Sequence, residues 1–141
     1  MKSAIDTLSQ LARLRATQVQ QMLGRVTYQQ NLCQRYRNNI EGLSRLCGYS
    51  ASTRTPLQRE NQFRYKGNLH KMLELQRREL AVAEQGLERI RSELLSAMRS
   101  EQIIVKALES RVQQWEEQLA RQEQKIQDGL AAQAWWRAQE L

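Results

Sequence analysis

The chain has 141 residues and a formal net charge of +7, and only one proline and six glycines interrupt it. Ala, Glu, Gln, Leu and Arg dominate the sequence, which is typical of long helices joined along a thin apolar seam and argues against a large globular core. No apolar run approaches the length of a transmembrane span, and the N-terminus lacks a continuous apolar region, so we expect neither a membrane helix nor a secretory signal.

The first predicted helix runs from about residue 4 to residue 47. Ser3 followed by Asp6 has the spacing of a helix cap. Apolar residues then alternate three and four apart, which is the spacing of a coiled-coil seam. The seam consists of Ile5, Leu8, Ala12, Arg15, Val19, Met22, Val26, Gln29, Cys33, Tyr36, Ile40, Leu43 and Cys47. Gly48 lies where a left-handed C-terminal cap is common, so the helix is predicted to end there.

A loop over about residues 48–55 precedes a second helix predicted over about residues 56–136. Thr55, Pro56 and Gln58 together read as a capping box with proline in the first turn. No further proline follows, so we expect about 120 Å of helix at 1.5 Å per residue. Its seam is Leu69, Leu73, Gln76, Leu80, Ala83, Leu87, Ile90, Leu94, Ala97, Glu101, Ile104 and Leu108. Two consecutive steps of four at Leu108 and Val112 predict a stutter in the supercoil.

Two seam-bearing helices joined by a short loop favour an antiparallel hairpin. The predicted fold is therefore all-α, with residues 1–141 forming one coiled-coil domain whose second helix is longer and projects. If Cys47 lies beside Pro56 across the loop, Ala4 lies beside Arg99. In that register Leu80, Leu87 and Leu94 are expected to pack near Leu23, Arg15 and Leu8.

Past Arg99 the second helix is expected to lose its intramolecular partner while it stays apolar on one side. A bare stripe of this kind indicates a binding surface. The predicted contact residues are Ile104, Leu108, Val112, Trp115, Leu119 and Ile126. A heterologous partner is the preferred interpretation. Self-association, or fraying after Asp128-Gly129, would also account for the pattern.

Basic residues are concentrated around the loop, with aromatic residues among them. Arg54, Arg59, Arg64 and Lys66 are the candidate contact residues. They are predicted to meet an acidic protein surface. Nucleic acid is an alternative ligand for such a pattern, and a merely solvated face is another interpretation.

The sequence contains no recognisable catalytic, cofactor-binding or metal-binding motif. It has no Gly-rich phosphate loop, nucleophile elbow or zinc-spaced ligand set, so we expect no enzymatic activity, cofactor or metal. Cys33 and Cys47 are two heptads apart, about 21 Å along one helix, which is too far for a disulfide. We interpret them as reduced seam residues in a cytoplasmic setting.

The order of a shorter helix, a basic loop and a longer helix resembles the FliJ-type proteins of bacterial flagellar export. The likeness is clearest at Tyr65-x-x-x-Leu69-x-x-x-Leu73-x-x-Gln76-x-x-x-Leu80, and it continues through Arg99, Lys106, Leu108 and Arg111. In length, helix order and hinge position it covers essentially the whole chain. Trp115, Trp135 and Trp136 match no position of the family pattern.

The resemblance implies a coiled coil similar to the central stalk of rotary ATP synthases. It also implies three partners: a hexameric export ATPase, a membrane export gate protein and substrate-specific export chaperones. The location implied is cytoplasmic and peripheral to the inner membrane, with no nucleic acid partner and no direct membrane insertion. The alternatives are the stalk of an injectisome type III secretion system, a basic coiled coil that binds nucleic acid, and a structural homodimer.

Overall fold

The computed structural model describes residues 1–140, which form two α-helices with no β-strand among them. Helix α1 spans Lys2–Gly48 and helix α2 spans Pro56–Glu140, with lengths of 47 and 85 residues. Arg37 contacts Glu84, whereas the earlier Arg25 contacts the later Glu93, so the helices run antiparallel. The prediction of an all-α hairpin with a longer second helix is confirmed.

The start of α2 is capped as the sequence predicts. The Gln58 N–H donates to the Thr55 hydroxyl at 3.2 Å, and the Gln58 side-chain oxygen accepts from the Thr55 N–H at 3.3 Å. The same oxygen accepts from the Arg54 N–H at 2.8 Å. Three backbone N–H donors near the helix start are thereby satisfied by side-chain oxygens, which fixes where α2 begins.

Both predicted caps of α1 are wrong. The helix already includes Lys2 and Ser3, and its first turn closes through the Ile5 N–H donating to the Met1 carbonyl at 3.1 Å. At the other end, no glycine in residues 1–140 has a positive φ, so Gly48 is not a left-handed cap. The Tyr49 N–H instead donates to the Leu46 carbonyl at 3.2 Å, a tightened last turn that needs no left-handed residue.

The segment Gln20–Ser96 forms one compact unit that contains the loop and most of the buried seam. Its core is built from Val26, Cys33, Ala83 and Leu87, with Cys33 fully buried. Partly buried apolar side chains extend this core on both helices: Leu32, Tyr36, Leu80, Ile90 and Leu94. The seam residues predicted for this part of both helices therefore do form the core, and Cys33 is a buried seam cysteine.

The pairing of the two helices differs from the predicted register. The predicted register places Gln29 beside Glu74, but the Gln29 side chain donates to the Ala83 carbonyl at 3.0 Å. Asn39 likewise donates to Gln76 at 3.2 Å. Leu87 packs in the cluster with Val26 and Cys33, so the expectation that it packs near Arg15 is wrong. Helix α1 pairs with a part of α2 about three turns further along than the sequence suggested.

The loop explains this shift, because it folds back over α2. Leu46 and Tyr49 line a common pocket with Gln62, Tyr65 and Lys66, so α1 ends beside the third turn of α2. With its amide oriented to satisfy both groups, Gln62 donates to the Ala51 carbonyl at 3.3 Å and accepts from the Ala51 N–H at 3.1 Å. The first turns of α2 therefore extend past the end of α1.

The second unit consists of Met1–Val19 and the chain from Ala97 onward. Val19 is buried, and the apolar residues Ile5, Leu8 and Leu11 are half-buried. On α2 the half-buried residues continue as far as Trp115 and then stop. Neither helix contains, within residues 1–140, a stretch long and apolar enough to cross a membrane.

Candidate partner-binding surfaces

The six residues predicted to bind a partner on α2 fall into two groups. Ile104, Leu108, Val112 and Trp115 are half-buried in the unit that includes Met1–Val19. Leu119 and Ile126 are exposed, by 40% and 64%. The expectation that α2 lacks a partner from Arg99 onward is therefore wrong for its first four turns, because the register shift brings the start of α1 alongside them. The bare part of α2 begins after Trp115.

The bare segment, Glu116–Glu140, has no buried or half-buried residue. Leu119, Ile126 and Leu130 lie within about 40° of one another around the helix axis, so they form one stripe. We call these three residues the apolar stripe. The half-buried Leu108 and Val112 lie on the same face, which makes the apolar stripe the uncovered continuation of the seam.

Trp135 and Trp136 lie beyond the apolar stripe and do not continue it. Their rings contact each other edge to face, with centroids 5.4 Å apart, and both are more than half exposed. At 3.6 residues per turn, Trp135 points to the side of α2 opposite Leu119. The two indoles therefore form a separate aromatic pair near the end of the helix.

The hairpin tip, residues 45–66, carries the second predicted surface. Arg54 and Arg59 are exposed, and neither lies in an ion pair within residues 1–140. Arg64 pairs with Glu60 at 2.9 Å, and Lys66 is half-buried beside the pocket under the loop. The structure thus brings all four predicted basic residues to the hairpin tip, but only two of them are both exposed and unpaired.

A third surface is not among those that the sequence predicts. Met72, Leu75 and Val82 are more than half exposed on α2, and Met72 lines a shallow groove of about 390 Å³ with Leu43 and Leu46 of α1. Each of the three immediately precedes a seam residue in the sequence. The available signal was the presence of large apolar residues at positions that the heptad assigns to solvent.

One polar seam residue is poorly satisfied. The Arg15 Nη1 donates to the Gln18 side-chain oxygen at 3.2 Å, but its Nε is buried and has no partner in the part of the chain that the structure describes. A buried donor without an acceptor costs roughly 1–3 kcal/mol. Residues 1–140 hold no cluster of three metal-ligating side chains.

Comparison with known proteins identifies the chain's relatives. The family model described as flagellar FliJ protein matches residues 4–140, nearly the whole chain and both helices. Searches of curated proteins and of solved structures returned no match for the chain. FliJ proteins are helical structural components of flagellar protein export rather than enzymes. The chain therefore belongs to the FliJ family and is a component of the flagellar export apparatus.

Proposed function

We propose that this chain is a non-enzymatic stalk that sits in the hexameric export ATPase and couples the ATPase to the membrane export gate. The observation that carries the proposal is the apolar stripe of Leu119, Ile126 and Leu130, which no other residue in 1–140 covers. A lone helix keeps such a face out of water only by binding, and a helix in a groove is the common mode.

Charged residues in and beside this segment can fix the position of α2 along the inside of the ATPase ring. Glu109, Arg111, Glu116, Glu117 and Arg121 are exposed. None of them forms an ion pair with another residue of 1–140. Charges of both signs that have no ion-pair partner within residues 1–140 favour a partner that itself carries charges of both signs. The half-buried Ile104, Leu108, Val112 and Trp115 support this end by holding α2 to the start of α1.

The hairpin tip faces the gate in this proposal. Arg54, Arg59, Arg64 and Lys66 give it a positive charge that suits an acidic surface at the cytoplasmic side of the inner membrane. The chain is then a cytoplasmic protein peripheral to that membrane. It needs no nucleic acid partner, and no part of it spans the bilayer.

Escort of substrate-specific export chaperones is the third proposed role. Met72, Leu75 and Val82 provide an exposed apolar surface that belongs neither to the apolar stripe nor to the hairpin tip. A chaperone bound there would leave both other surfaces free. This assignment predicts that chaperone capture and ATPase binding respond to different substitutions.

The experiment is an equilibrium binding measurement between the full chain and the purified export ATPase. The variant Leu119→Ser with Ile126→Ser is expected to bind at least about tenfold more weakly, because a few buried anchors dominate such interfaces. The matched control is Leu75→Ser with Val82→Ser, whose side chains are exposed by 55% and 65%. Equal binding by both variants would refute the proposed ATPase surface, and strong retention on DNA or RNA would favour the nucleic-acid alternative.

A further inference from the structure

We propose that the hairpin tip binds the anionic headgroup surface of a lipid bilayer. The contact residues are the basic Arg54 and Arg59 together with the apolar Tyr49, Leu57 and Phe63. This inference deepens the proposed function, on which it rests only for placing the hairpin tip at the membrane side. The ligand assigned to these five residues is phospholipid, and a protein of the gate is the alternative that the test excludes.

The charge of the hairpin tip favours an anionic ligand. The acidic residues around the hairpin tip are already neutralised, since Glu41 pairs with Arg45 and Glu60 pairs with Arg64, each one helical turn away. Arg54 and Arg59 remain exposed and unpaired within residues 1–140. The outward-facing charge of the tip is therefore positive, and a basic group near an anionic membrane gains about a fivefold increase in binding.

Large apolar side chains are exposed beside these arginines. Phe63 and Tyr49 are 80% and 79% exposed, and Leu57 is 66% exposed. All three lie in the loop or the first turns of α2, where nothing in the described part of the chain covers them. Aromatic and aliphatic side chains interleaved with arginine are typical of segments that rest in the interface between headgroups and acyl chains.

The positions of the basic residues favour lipid over a protein or nucleic acid partner. Arg59 and Arg64 lie about 140° apart around the axis of α2, and Arg54 lies in the loop beyond the helix. A rigid epitope or a nucleic acid backbone contacts charges that share one face. A fluid headgroup layer surrounds a convex tip and meets charges on several faces together. Leu57, which has no ring to stack on a base, also favours lipid over a single-stranded nucleic acid.

The pocket under the loop is a place where part of a lipid headgroup can bind. It is a space of about 150 Å³ lined by Leu46, Tyr49, Ala51, Gln62, Tyr65 and Lys66. Its lining thus includes two tyrosines, a leucine and a lysine. A glycerol backbone with its phosphate matches that combination of apolar wall and positive charge.

The test is co-sedimentation of the full chain with vesicles of phosphatidylglycerol and phosphatidylcholine, compared with vesicles of phosphatidylcholine alone. At about 0.1 M salt the chain is expected to bind only the anionic vesicles, and about 1 M salt should release most of it because the Debye length falls to about 3 Å. Arg54→Gln with Arg59→Gln should weaken binding about 25-fold. Phe63→Ser should weaken vesicle binding further and should remove the binding that remains at about 1 M salt.

The control is Arg89→Gln with Arg91→Gln, which removes the same charge from exposed sites of α2 outside the hairpin tip. An equal loss in the control and the Arg54/Arg59 variant would overturn the proposal, because it would show unlocalised attraction. Equal binding to neutral vesicles, or no binding to anionic ones, would overturn it too. So would an Arg54/Arg59 variant that keeps vesicle binding but loses capture by the soluble part of the gate. ATPase binding is measured separately, so failure at the membrane leaves the proposed function standing.

Discussion

The side chain of Gln29 occupies the space that a side chain at position 86 would need. A Cβ added to Gly86 would lie 3.0 Å from the Gln29 Nε2, and that nitrogen donates to the Ala83 carbonyl at 3.0 Å. Gly86 thus lets a polar seam residue reach the backbone of the facing helix. A polar residue in a seam is a known device for fixing register, and this contact places Gln29 where it can act in the same way.

Substituting Gly86 with alanine separates the contribution of the Gln29 contact to stability from the contribution of helix propensity. Gly67→Ala is expected to stabilise the hairpin by up to about 1 kcal/mol, because Gly67 faces open space. Gly86→Ala gains the same propensity but must displace the Gln29 amide, so its melting temperature should not rise. In a Gln29→Ala background the gain should return. Equal stabilisation by both alanine variants would show that the Gln29 contact contributes nothing.

The register itself can be measured by the distance between two spin labels. With Cys33 and Cys47 replaced by alanine, labels at Arg25 and Glu93 should lie close together, since these side chains are 3.3 Å apart. Labels at Arg25 and Arg78, which the heptad pattern alone would place together, should lie about 22 Å further apart. The reverse order of the two distances would restore the register that the sequence suggested.

That register was the part of the fold that the sequence predicted least well. The seam residues, the hairpin and the capping box at Thr55 follow from local pattern, because period and capping chemistry depend on nearby residues. The pairing does not, since a heptad seam presents apolar residues at every repeat and a slide of one or two repeats keeps apolar against apolar. The contacts that select one pairing, such as Gln62 with Ala51, arise only when the loop folds back.

Because the predicted register was wrong, the predicted position of the bare segment of α2 was wrong as well. A shorter overlap predicted a bare α2 from Arg99, whereas the half-buried Ile104, Leu108, Val112 and Trp115 leave only the segment after Trp115 uncovered. Leu119 and Ile126 were predicted as contact residues and are exposed. The surface of Met72, Leu75 and Val82 was not predicted, because apolar residues outside the heptad seam carry no periodic signal of their own.

Leu87 should contribute strongly to stability. It is 7% exposed and packs in the cluster with Cys33, so Leu87→Ala should lower the free energy of unfolding by about 2–3 kcal/mol. Leu75→Ala, at an exposed site of the same helix, is the control and should change it by less than about 0.5 kcal/mol. Chemical denaturation followed by circular dichroism measures both. Similar values for the two variants would remove Leu87 from the core.

Arg15 should be replaceable with a gain in stability. Its buried Nε has no acceptor within residues 1–140, so Arg15→Leu removes an unsatisfied donor and adds apolar contact. We expect about 1 kcal/mol of stabilisation. Arg13→Leu, at an exposed position two residues before Arg15, should have little effect on stability. A clear loss of stability in Arg15→Leu would mean that the guanidinium is needed where it lies.

The most direct test of the stalk proposal is site-specific photo-crosslinking in the intact flagellated cell. A benzophenone amino acid at position 126, on the apolar stripe, should form an adduct with the export ATPase. The same probe at position 75 should not, although both native side chains are more than half exposed. An adduct at position 126 with a second copy of this chain, or with no protein at all while position 75 captures the ATPase, would contradict the assignment of this segment to the ATPase ring.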